Sequence, residues 1–166
     1  MPGLLDGHIA LITGGGSGIG RGIALAYAEQ GATVIAADIN TAGAAETVAM
    51  IGGNAARAEH LDVTDRASCD ALAQKVRAEV GDLSILVNNA GIVRRATLAE
   101  AENPLGDWDD TLGINVNGVF NSTYAFLDQL KATRGRIISI GSIQSFVHTP
   151  NCVAYTMSKH PVKGFT

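Results

Sequence analysis

The chain has 166 residues, enough for one domain with a sizeable core, and its 46% hydrophobic and 17% charged residues suit a compact α/β domain better than a disordered or fibrous one. Its net charge of −4 gives no support for nucleic-acid or polyanion binding, which needs a basic stripe. No apolar run approaches the ~20 residues of a membrane span, no signal pattern opens the chain, and Cys69 and Cys152 lie far apart without metal-ligand spacing, so a reduced, cytoplasmic protein with no metal site is expected.

Short apolar runs alternate with segments of helical period. Residues 8–13 (HIALIT) read as a buried strand, followed by a glycine cluster and an alanine-rich helix that reaches about Gln30 and stops at Gly31. Residues 33–38 (TVIAAD) make the second strand and 41–51 a helix of small residues. A weaker third strand covers 55–60, and a helix capped by Thr64 or Asp65 runs to Val80. Residues 85–91 (ILVNNAG) form a fourth strand ending in a turn, and 94–106 a polar loop with the length of an insertion. Asp107 is the expected N-cap of one long helix to about Lys131, 136–140 (RIISI) is the fifth strand, and a last helix begins near 150–154. Strands apolar at consecutive positions and separated by helices require a parallel sheet covered on both faces. The expected architecture is a single-domain, doubly wound, Rossmann-like α/β fold with at least five strands.

Residues 13–20 (TGGGSGIG) fall directly after the first strand and open a helix. Glycine clusters also make ordinary turns. On a strand-turn-helix junction, however, they let backbone N–H groups approach a pyrophosphate, and the helix N-terminus adds donors and partial positive charge. Gly14, Ser17, Gly18, Ile19 and Gly20 are the candidate residues for this contact. Asp38 closes the second strand, eighteen residues after Gly20. A carboxylate there can accept hydrogen bonds from adenosine-ribose hydroxyls and would repel a 2′-phosphate, although an Asp at a strand end also makes turns. No Arg or Lys occurs between Thr13 and Gly20 or just after Asp38, so NAD is expected rather than NADP.

Thr13-Gly14-x-x-x-Gly18-x-Gly20, residues 88–91 (NNAG), Ser142 and Tyr155-x-x-x-Lys159 together resemble the short-chain dehydrogenases/reductases in order and approximate spacing, over nearly the whole chain. The resemblance implies that Asp62 and Val63 lie along the adenine ring. It also implies that Asn89, Ala90 and Gly91 flank the cofactor, and that the backbone of Asn115 holds a water beside the catalytic lysine. A homotetramer built through the long helix and the tyrosine-bearing helix is implied as well.

The chemistry of the last motif can be argued directly. A free tyrosine has a pKa of about 10, too high for a good base at neutral pH. An ammonium one helical turn away, with a positively charged oxidised nicotinamide, stabilises the phenolate. Tyr155 would then take the proton from a substrate alcohol or return it to a carbonyl. Ser142 would hold the substrate oxygen and stabilise its developing charge, and Lys159 would also bond the nicotinamide-ribose hydroxyls. A Tyr/Lys pair alone is frequent on amphipathic helix surfaces; Ser142 thirteen residues upstream and the glycine turn favour catalysis.

Residues between Ser142 and Tyr155 should line the reacting end of the site, among them Gln144, Phe146, His148, Asn151 and Cys152. Gln144 and His148 could bond sugar hydroxyls or equally cap the loop. Residues 88–95, 107–110 and 142–145 resemble members acting on sugars, polyols or keto-sugar acids, with the 3-oxoacyl-thioester reductases as the competing reading. Arg94 and Arg95 read as a solvated loop face, with binding of an acidic substrate as the other reading, and Trp108 reads as a packing residue.

Two departures from the family pattern stand out. Pro161 falls two residues after Lys159, inside the expected helix, where it costs ~3 kcal/mol or a kink. The family also continues with the rest of this helix and two further parallel strands, without which residues 136–140 would be an unpaired apolar edge. Two readings follow: an NAD-dependent dehydrogenase represented by its first two-thirds, and an inactive nucleotide-binding or assembly module that ends at Thr166.

Overall fold

A computed structural model describes residues 3–95 and 101–165 of the chain. Five strands form one parallel sheet: β1 (Ile9–Thr13), β2 (Thr33–Asp38), β3 (Ala56–His60), β4 (Ile85–Asn88) and β5 (Arg136–Ser139), in the order β3-β2-β1-β4-β5. The helices are α1 (Gly18–Glu29), α2 (Thr41–Ile51), α3 (Arg66–Glu79), α4 (Pro104–Leu112), α5 (Gly118–Ala132) and α6 (Val153–Phe165). This is the expected doubly wound fold. Strand order reverses between β1 and β4, so a crevice opens at their carboxyl ends.

Apolar runs in β1, β2 and β4 are explained by burial on both faces. Leu11, Ile35 and Leu86 pack with Leu72 and Val76 of α3 and with Phe126 and Leu130 of α5. The opposite face sets Ala10, Ile12, Val34 and Val87 against Ala24, Ile23 and Tyr27 of α1. The weaker pattern of β3 reflects its place at the sheet edge, where Arg57 and Glu59 pair with Glu79 and Lys75 of α3 at 2.9 and 2.7 Å. Both cysteines are free and buried, and burial pushes the Cys69 thiol up to about 11, which suits an inert packing residue.

Several expected boundaries move, each for a local reason. Asp65, not Thr64, caps α3, its carboxylate accepting the Ala67 N–H at 2.9 Å. β4 ends at Asn88 rather than at residue 91, because the N–H groups of Asn89 and Ala90 both donate to Thr13 Oγ1, at 3.0 Å, instead of continuing the ladder. Asp107 is not an N-cap. Asn103 takes that place, accepting the Gly106 N–H at 3.1 Å with Pro104 at the first helical position, while Asp107 sits in the first turn and faces Arg94 at 3.6 Å. The long helix is also not uniform: Gly113–Asn117 winds as a π-helical turn between α4 and α5. Pro161 bends the expectation less than its chemistry suggests, since α6 continues through it to Phe165. Residues 96–100 of the expected polar loop, and Thr166, lie outside the described residues.

Candidate active site

The crevice is a cleft of about 820 Å³ lined from the ends of β1, β2 and β4, the loop after β3, the π-helical turn, the segment after β5 and the start of α6. Gly14 enters it with φ +65°, a conformation that favours glycine, and a Cβ there would come within 3.0 Å of Ala90 Cα. Asn89 fastens this turn across the switch point, donating to the carbonyls of Thr13 at 2.9 Å and Gly14 at 3.2 Å. Gly20 has a different duty from the one expected. It is buried in α1, away from the cleft lining, and a Cβ would meet Gly14 O at 2.1 Å, so it permits the close helix–turn approach rather than touching a ligand.

Ser17 precedes α1, and no side chain caps that helix. Its first-turn N–H groups therefore have no side-chain acceptor, and Ser17, Gly18 and Ile19 all line the cleft. That donor set fits a pyrophosphate. Asp38 stands at the far end, its two carboxylate oxygens accepting from Gly16 N and Asn40 N, each at 2.9 Å. Beside it Asp62 accepts from the Thr64 hydroxyl at 2.7 Å and the Thr64 N–H at 2.9 Å; the hydroxyl bond is the main cause holding its carboxyl below the usual range. Val63, Ala90 and Gly91 complete this half of the lining.

Tyr155 and Lys159 occupy the other end, with Lys159 Nζ 5.7 Å from the centre of the Tyr155 ring. Lys159 is 6% exposed and donates to the carbonyl of Ile140 at 2.7 Å; burial holds its ammonium below the usual lysine range. Behind it the Asn115 side chain is fully engaged. Its oxygen accepts from Ile92 N, and its Nδ2 donates to Ile92 O and to Ser158 Oγ, all at 2.9 Å. Asn115 thus ties the loop after β4 to α6 one residue from Lys159, from within the π-helical turn.

Ser142 lies three residues past β5, next to the cleft-lining Gly141, and is not itself among the lining residues. It caps a short 3-10 turn, Ile143–Ser145: its hydroxyl oxygen accepts from Gln144 N and its own N–H donates to Ser145 Oγ, both at 3.2 Å. Acting as acceptor there leaves the Ser142 hydroxyl proton free to be donated elsewhere. Gln144 and His148 are not brought to the cleft. Gln144 is buried and accepts from Thr156 Oγ1, bracing the loop against α6, and His148 is exposed. Cleft residues absent from the sequence reading, such as Ile39 and Ile114, carry no local signal and are gathered by topology alone, whereas Asp109 and Asp110 lie in the 107–110 stretch that the family resemblance singles out. Thr64 could have been read, because Asp62-x-Thr64 is an Asx-turn spacing.

Comparison with known proteins matches the picture. The family model described as short chain dehydrogenase matches residues 8–166. D-threitol dehydrogenase of Mycolicibacterium smegmatis is 44% identical over 163 residues, covering 96% of this chain and 62% of that protein. The 3-oxoacyl-acyl-carrier-protein reductase of Thermotoga maritima is 36% identical, covering 98% and 66% respectively. Among solved structures, a Beutenbergia cavernae protein proposed to be an NAD(P)-dependent gluconate 5-dehydrogenase, with NADP bound at low occupancy, superposes with TM-score 0.89 at 38% identity over 100% of this chain and 66% of that one. A Burkholderia phymatum short chain dehydrogenase/reductase in complex with NAD superposes with TM-score 0.90 at 30% identity, over 97% of this chain and 58% of that one. The chain therefore spans about two-thirds of the length of the relatives it matches, and it belongs to the short-chain dehydrogenase family.

Proposed function

We propose that the protein is an NAD-dependent oxidoreductase that interconverts a secondary alcohol and a ketone, with a sugar, polyol or keto-sugar acid as substrate. The observation that carries this reading is the cleft itself, which brings an uncapped helix N-terminus and the Asp38 carboxylate together with Tyr155 and Lys159. When bound, the nicotinamide supplies or accepts the hydride. Ser17, Gly18 and Ile19 would hold the pyrophosphate through their backbone, and Asp38 the adenosine ribose, with Asp62 and Val63 beside the adenine.

Tyr155 is the proton donor and acceptor at the substrate oxygen, and Ser142 steadies that oxygen with its free hydroxyl proton. Lys159, whose ammonium lies 5.7 Å from the centre of the Tyr155 ring, would favour the tyrosinate and would bond the nicotinamide-ribose hydroxyls. Asn115 keeps α6 and the loop after β4 in register around it. The family resemblance supports extending the proposal to a cytoplasmic homotetramer acting on a small molecule.

The identity to D-threitol dehydrogenase favours polyols over acyl thioesters. The second reading, a 3-oxoacyl-thioester reductase, is supported by the 36% identical relative of that name. Following nicotinamide absorbance over a panel of polyols, sugar acids and acyl thioesters, each with NAD and NADP, separates them. Turnover of a polyol or sugar acid with NAD is the expected result. Preference for an acyl thioester with NADPH would favour the reductase, and dinucleotide binding without any turnover an inactive nucleotide-binding module.

A further inference from the structure

Beneath the glycine-rich turn lies a polar cluster that the reactions above do not use. Arg21, the residue after Gly20, folds its guanidinium back under the turn. Its Nη2 donates to the carbonyl of Gly16, reaches the carbonyl of Gly43 at 3.3 Å and pairs with Glu46 at 2.9 Å, while its Nε donates to Thr47 Oγ1 at 3.0 Å. Thr47 is fully buried, and its hydroxyl oxygen lies 2.8 Å from the carbonyl of Gly15. On the other side of the same turn, the Gly16 N–H donates to Asp38 Oδ2 at 2.9 Å. Residue 16 is therefore held at its N–H by the carboxylate of β2 and at its carbonyl by the guanidinium of α1.

Carbonyl dipoles aimed into an anion site oppose binding, whereas the N–H groups of the same turn favour it. Arg21 and Thr47 draw two consecutive carbonyls, those of Gly15 and Gly16, down onto α2 and out of the cleft; with the Gly15 and Gly16 N–H groups given to Ala37 O and Asp38, the cleft is left to Ser17, Gly18 and Ile19 at the start of α1. The positive charge of Arg21 is half-buried under the backbone, matched by Glu46, and Arg21 is not among the cleft-lining residues, so it is not aimed at a phosphate. We propose that Arg21 is a positioning residue of the dinucleotide site: it sets the orientation of the glycine-rich turn and, through Gly16, fixes the Asp38 carboxylate that discriminates NAD from NADP. The inference rests on the nucleotide reading of the cleft.

Calorimetric titration of NAD and of NADP into the full chain tests it, with thermal melting in parallel, for the wild type, Arg21→Met, Arg21→Lys and Thr47→Val. Arg21→Met is expected to weaken NAD at least about tenfold and to bring the two affinities together, because the turn loses its shape and the Gly16 N–H that holds one of the two Asp38 oxygens moves with it. Arg21→Lys should recover part of the discrimination, and Thr47→Val should move it in the same direction as Arg21→Met by a smaller factor. A folded Arg21→Met protein whose NAD-to-NADP ratio equals that of the wild type overturns the proposal, as does an equal weakening of both ligands. If Arg21→Met does not fold, an unchanged ratio in Thr47→Val overturns it instead. Wild-type protein that binds neither dinucleotide removes the nucleotide reading itself, an outcome distinct from wild-type binding with variants of unaltered preference.

Discussion

Lys159 donates its ammonium to the carbonyl of Ile140 at 2.7 Å, mooring α6 to the chain just beyond β5 and carrying a charge into a site where only 6% of the residue is exposed. The bond compensates part of the desolvation, but burial still holds the ammonium below its usual 10.5. The folded pKa thus lies below that of the unfolded chain. Burial cost is fully present below the folded pKa and has gone above about 10.4. Stability of the wild type relative to Lys159→Met is therefore expected to rise with pH between those two values and to be flat below them. Urea midpoints of both proteins measured from about pH 7 to pH 10 check this, and parallel midpoints throughout would contradict it.

Asp38 gives a prediction about cofactor choice. Both of its oxygens are fixed by backbone N–H groups, at 2.9 Å each, so the carboxylate cannot swing aside for a 2′-phosphate. Replacing it with Ser keeps a small hydrogen-bonding group and removes the charge. NADP affinity of Asp38→Ser should rise, and the NAD-to-NADP ratio should fall by about tenfold or more. A ratio that stays at the wild-type value would assign the discrimination to some other group.

Pro161 interrupts α6 without ending it, and the carbonyl of Met157 has no proline N–H to accept. The exposed position leaves room for a better helix former. Pro161→Ala is expected to stabilise the protein by up to about 3 kcal/mol, read as a higher denaturation midpoint. A loss of stability would mean that the cleft lined by Trp108, Met157 and Pro161 depends on the ring for its packing.

Much of the fold was legible because it is written in local pattern. The ranges of β1, β2, α1 and α2 follow from apolar runs broken at Gly31 and from the small-residue helix that follows β2, and the structure keeps them within a residue or two. What the pattern could not supply were choices between competing polar groups. Asn103 and Asp107 are both good caps by residue type, and only the placement of Pro104 and the Arg94 partner separates them. The π-helical turn was invisible for a related reason: Asn115 bonds to Ile92 and Ser158, partners twenty-three and forty-three residues away. Among the candidate site residues, those set by backbone geometry or by helical spacing are the ones the fold brings to the cleft, as Gly14 and the Tyr155/Lys159 pair show. Gln144 looked like a substrate contact only because a polar side chain near Tyr155 has two possible destinations, and here it turns to Thr156. Arg21 escaped notice because it stands one position beyond the motif, where a basic residue on an exposed helix start is commonplace.

The most direct measurement is the NAD-linked turnover of Tyr155→Phe against the wild type on whichever polyol or sugar acid the wild type oxidises best, with NAD affinity determined on the same samples. Loss of the phenol should lower kcat by about a hundred- to ten-thousandfold while NAD affinity stays within about twofold, because the hydroxyl acts on the reacting oxygen and the ring still lines the cleft. Turnover retained by Tyr155→Phe at the wild-type rate would contradict the assignment of Tyr155 as the proton-transfer group.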